Sequence, residues 1–73
     1  MVEIPVSSSL ILAAAYDDVA QELHVTFKNG ARWIYGNSVR PFTAEDAALF
    51  EGAASKGQWF LQQIKGQWPE RRA

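Results

Sequence analysis

Residues 23–35 constrain the fold of this chain more than any other stretch. Leu23-His24-Val25-Thr26-Phe27 alternates apolar with polar side chains, the period-two pattern of a strand with one face buried and one in water. Ala31-Arg32-Trp33-Ile34-Tyr35 follows, rich in aromatic and β-branched residues, and Lys28-Asn29-Gly30 joins the two segments as a hairpin. Its register can be argued from side-chain chemistry. A two-residue Asn29-Gly30 turn would pair Phe27 with Arg32 and mix core with solvent residues on one face. A three-residue loop with Gly30 at positive φ instead pairs Phe27 with Ala31, Val25 with Trp33 and Leu23 with Tyr35. One face is then uniformly apolar, and the other carries His24, Thr26, Arg32 and Ile34.

The hairpin needs partners, because an isolated pair of strands is marginal in water. Leu10-Ile11-Leu12-Ala13-Ala14-Ala15-Tyr16 supplies one. The run is too continuous in apolar content to show a period, and Asp17-Asp18 closes it at a length that suits a strand better than a helix. After the loop from Gly36 to Pro41, Thr43 offers a hydroxyl cap, and Glu45 and Asp46 favour the positive end of a helix expected over about residues 43–53. Its inward stripe is Ala47, Phe50 and Ala54, with Leu49 and Ala53 beside it. Ser55 with Gln58 three residues on forms a capping-box pattern for a second helix, which runs to about Lys65 and ends at Gly66.

The expected architecture is therefore α+β: a three-stranded antiparallel β-meander followed by two α-helices packed on its apolar face. Its 73 residues make a single domain, with 69–73 read as a frayed tail. The N-terminus has an acid where a secretion signal needs a basic start, and the longest apolar run falls far short of the roughly 20 residues of a membrane-spanning helix. With no cysteine to form a disulfide, the expected location is the cytoplasm, with no membrane partner.

Few residues could carry catalysis. The chain has one histidine and no cysteine, and His24 falls on the polar face of its strand, so no catalytic residue, cofactor or enzyme activity is expected. Asp17, Asp18 and Glu22 surround one turn but lack the spacing of a calcium loop; turn chemistry accounts for the aspartates, and no metal site is expected.

The informative segment is Ser55-Lys56-Gly57-Gln58-Trp59-Phe60. It places unpaired backbone N–H groups, a hydroxyl and a lysine at a helix start, which is an anion-binding geometry. Lysine there opposes the helix dipole and glycine lowers helix propensity, so local stability does not explain either residue; close helix packing is the alternative explanation for Gly57. A 3.6-residue projection groups Gly57, Phe60, Leu61 and Ile64 on one face and turns Trp59 away as an exposed stacking platform, unless the first helix or a loop covers it. Four of the seven basic residues, Lys56, Lys65, Arg71 and Arg72, lie in the last third with Trp59 and Trp68, although Glu70 interrupts them.

Ser8-Ser9, Tyr16-Asp17, Leu23-x-Val25-x-Phe27, Gly30, Trp33-x-Tyr35, Val39, Phe42, Ala54-Ser55-Lys56-Gly57, Trp59-Phe60, Ile64 and Trp68 together resemble the KTSC domain family, found at the C-terminus of some lysyl-tRNA synthetases and as small stand-alone proteins of bacteria and phages. The Ser-Lys-Gly step before an aromatic pair is the most specific part. Trp33, Trp59 and Trp68 stand where that family usually has tyrosine. The resemblance implies no catalytic activity, and its tRNA-enzyme context implies contact with RNA.

The resulting expectation is a non-enzymatic binding module that contacts RNA or another nucleic acid. Ser55 and Gly57 would supply helix-start donors, Lys56 and Lys65 charge, Trp59 stacking, and Arg71 with Arg72 phosphate contacts. The rival expectation is a protein-interaction module or homo-oligomer of phage or bacterial origin that uses its tryptophans as anchors. The net charge of −1 favours the rival, because any grip on a polyanion must come from a local patch.

Overall fold

In the computed structural model, which describes residues 1–73, the hairpin has the register its side chains demand. Leu23 pairs with Tyr35 and Val25 with Trp33, the Phe27 N–H donates to the Ala31 carbonyl at 2.8 Å, and Gly30 takes φ +92° in the turn. These two strands are the middle of a larger sheet. Numbered in chain order, the strands are β1 (Val2–Ile4), β2 (Ile11–Asp17), β3 (Glu22–Phe27), β4 (Arg32–Tyr35) and β5 (Glu70–Arg72). They form one antiparallel sheet in the order β1-β2-β3-β4-β5.

The sheet therefore has five strands rather than three, and residues 69–73 are not a frayed tail. Both additional strands are three-residue edges. β5 is Glu-Arg-Arg and wholly exposed, so it has no apolar alternation to announce it, and its charges protect an open sheet edge from further pairing. β2 accounts for its own unreadable period. A register shift between Ile11 and Ala13 forms a bulge at Leu12, which points outward, while Ile11, Ala14 and Tyr16 point inward.

Both helices lie on one face of the sheet. α1 (Ala44–Glu51) starts at a reciprocal cap: the Thr43 hydroxyl accepts from the Asp46 N–H at 3.2 Å, and the Asp46 carboxylate accepts from the Thr43 N–H at 3.0 Å. α2 (Lys56–Trp59) is one α-turn that continues into a π-helical segment, Phe60–Ile64, closed by the Lys65 N–H donating to the Phe60 carbonyl at 2.8 Å. Phe50, Phe60 and Ile64 descend from these elements onto Leu23, Val25 and Tyr35 of the sheet. Phe60 is at the centre, with edge-to-face contacts to Phe27 and Tyr35 at 5.2 and 5.1 Å. Tyr16 bonds to the Phe42 carbonyl at 2.7 Å and ties the approach to α1 onto β2. No helix is long and apolar enough to cross a membrane.

Candidate functional site

Where β3 and β4 leave the helices, the covered face of the sheet opens into a cleft of about 400 Å³. Phe27, Trp33, Tyr35 and Phe60 contribute aromatic surface to it, with Leu10 and Leu61 alongside. The cleft follows from strand alternation. Phe27, Trp33 and Tyr35 belong to the apolar face, but the π-helical segment ends before it can cover the hairpin tip. Lys28 from the turn and Lys65 from the end of that segment also line the cleft, with Glu70 as the one acidic residue. Arg72, which pairs across the sheet with Trp33, places its guanidinium 5.3 Å from the Trp33 ring centroid. Neither lysine is in an ion pair. A chain of net charge −1 thus gathers three of its seven cations around one aromatic recess.

The residues singled out in the sequence go to four places. Ser55 caps α2 and accepts from the Gln58 N–H at 3.4 Å, but Gln58 makes no return bond, so the capping box is half formed. Gly57 is explained by packing against the Ser7–Ser9 loop rather than against α1. A Cβ there would lie 2.8 Å from the Ser8 hydroxyl oxygen, which already accepts from the Leu10 and Ile11 N–H groups at 3.0 and 3.2 Å. Lys56 is half-buried and forms no ion pair.

Trp59 is not turned away from the protein. It packs on the core and lines a crevice with Leu49 and Asp46 of α1, Phe42 and Trp68, because α1 crosses the side of α2 that a lone helical projection leaves bare. Of the remaining candidates, Lys65 and Arg72 meet at the cleft, whereas Arg71 is on the opposite face of the sheet. There it donates to Glu22 at 2.8 Å and to the Gly36 carbonyl at 3.4 Å, fastening β5 across β4. Lys28, Trp33 and Phe27 were missed as site residues. The signal for them was the hairpin register itself, which puts Phe27 and Trp33 on one face beside the turn lysine.

Burial and the nearby Glu70 carboxylate push the Tyr35 hydroxyl up to about 12, so Tyr35 is a neutral wall of the cleft at physiological pH. On the open face of the sheet, the Asp17 carboxyl is held below its usual range, chiefly by the N–H of Ala20, with Val19 and His24 adding to the effect.

Comparison with known proteins agrees with this architecture. The KTSC domain model matches residues 7–68. The crystal structure of a KTSC domain protein from Yersinia pestis superposes with a TM-score of 0.82 at 32% identity, covering 97% of this chain and 94% of that one. No curated protein matches. The chain belongs to the KTSC domain family.

Proposed function

We propose that this KTSC domain is a non-catalytic binding module whose ligand is a single-stranded nucleic acid, RNA in the first instance, taken up by the cleft between the β3–β4 hairpin and the π-helical segment. The observation that carries the reading is the collection of Lys28, Lys65 and Arg72 around Trp33 and Phe27 in a molecule that is otherwise slightly acidic. Bases stack on aromatic surface at about 1–3 kcal/mol each, and cations at the rim hold the backbone. This moves the interface from the start of α2, where Gly57 meets Ser8, to the end of the π-helical segment and the β5 edge. Lys65 and Arg72 remain in the site; Arg71 is engaged by Glu22, and Ser55, Lys56 and Trp59 serve the helix start and the core.

The test is a titration with fluorescent single-stranded RNA across a range of salt. Three backbone contacts predict a slope of log K against log salt of about −2, and Lys28→Ala with Lys65→Ala should remove about 1.4 of it. Leu61→Glu, at a half-exposed cleft residue, should abolish binding without unfolding the chain. Absence of binding at low salt, or binding indifferent to all three substitutions, would discard this reading in favour of a protein partner or a second copy of the chain.

A further inference from the structure

The face of the sheet away from the helices holds a second group of polar side chains, separate from the cleft. Asp17 and Glu22 are directly paired across β2 and β3, and His24 is two residues along β3 on the same face. One potential ligand atom from each of the three lies within 4.8 Å of the other two, and none of the three residues is fully exposed. The His24 Nε2 is shielded from solvent and has no hydrogen-bond partner; the nearest carboxylate oxygen, Glu22 Oε1, is 3.7 Å away. Only this nitrogen is shielded, the His24 side chain being 26% exposed. A ring nitrogen out of reach of both water and a protein partner is destabilising by about 1–3 kcal/mol, which a bound ligand would offset. The neighbouring carboxylates are already oriented. Glu22 Oε2 is held by Arg71 at 2.8 Å, which leaves Oε1 on the histidine side, and Asp17 Oδ1 accepts from the Val19 and Ala20 N–H groups at 3.1 and 3.0 Å. Hydrogen bonds of this kind to the outer oxygens are how ligand carboxylates are usually fixed.

The geometry points to a divalent transition-metal site of the zinc type, formed by His24 Nε2, Glu22 Oε1 and a carboxylate oxygen of Asp17, with water completing the shell. Zinc bonds of about 2.0–2.2 Å bring tetrahedral donors to roughly 3.3–3.6 Å from one another, so small side-chain rotations close the observed cluster. Imidazole with two carboxylates suits zinc and its neighbours, whereas calcium would demand about 6–8 oxygen ligands, more than this face supplies. The Arg71 guanidinium lowers the negative charge of the set, so the site is one of moderate affinity.

Zinc chloride titrated calorimetrically into tag-free protein is expected to bind one ion per chain. His24→Ala and Asp17→Asn should each weaken binding at least tenfold; the asparagine retains the Oδ1 acceptor of the turn, and near-UV circular dichroism verifies that both variants remain folded. In a parallel NMR experiment, zinc should shift the His24 ring resonances. No binding at up to about 1 mM zinc, where only very weak sites would escape detection, or an affinity unchanged in both variants, would overturn the assignment.

Discussion

The two faces of the sheet are made by alternate residues of the same strands, yet they solve different problems. On the covered face, Leu23, Val25, Tyr35, Ala14 and Tyr16 meet Phe50, Phe60 and Ile64, and nothing polar is fully buried. On the open face, Ala13, Ala15, His24, Thr26 and Arg32 border a shallow recess, and the specific contacts are polar: Asp17 with its turn, and Glu22 with Arg71. The covered face depends on the amount of apolar surface removed from water. The open face depends on which side chains the register brings side by side. The cleft is where the covered face runs out of cover, and it brings aromatic surface together with two lysines and the Arg72 guanidinium.

The largest test of this contrast is Phe60→Ala. It removes the residue on which Phe27 and Tyr35 converge and should destabilise the domain by about 3–5 kcal/mol, enough to leave a domain of this size largely unfolded in a urea titration. Thr26→Ala on the open face should change stability by less than about 0.5 kcal/mol. Equal effects would erase the distinction between the faces.

Next in size is an alkaline effect. Tyr35 holds its proton more tightly folded than unfolded, with a pKa of about 12 against 10.0. The folded state therefore binds more protons between these values, and stability is fully present below pH 10, falls as pH rises through the window, and levels off above it. Tyr35→Phe should remove this share of the alkaline loss, on the order of 2 kcal/mol, measured by urea unfolding at a series of pH values.

Gly57→Ala should destabilise by about 1 kcal/mol, the displacement of Ser8 outweighing the better helix propensity of alanine. In a Ser8→Ala background the same substitution should be neutral or slightly stabilising. A cost that persists without the Ser8 hydroxyl would mean that the close approach is not what requires glycine. Arg71→Ala is expected to lose somewhat less, about 0.5–1 kcal/mol, because the arginine of this ion pair is half in solvent.

How far the sequence reveals this molecule follows the same division. The central hairpin was legible to the register, because alternation and the Gly30 turn allow only one arrangement with an apolar face. The caps at Thr43 and Ser55 were legible because each is a local hydroxyl with a local N–H to receive. β1 and β5 were not, since a three-residue edge strand has too few side chains for a period and gains its structure only from a neighbour. The π-helical segment and the covering of Trp59 by α1 were equally hidden, because both depend on tertiary packing. For the site, the sequence offered Lys65 and Arg72 as charges but not Lys28 and Trp33 as their companions; that grouping exists only once β4 pairs with β5 and the π-helical segment stops short of the turn.

The central claim is that ligand binding belongs to the uncovered end of the helix-bearing face. An amide NMR titration of the labelled chain with a short single-stranded RNA tests it most directly. The account predicts shifts concentrated at Lys28, Trp33, Leu61, Lys65 and Arg72, with Ala15, His24 and Thr26 unmoved. Shifts confined to the open face, or none at low salt, would contradict it.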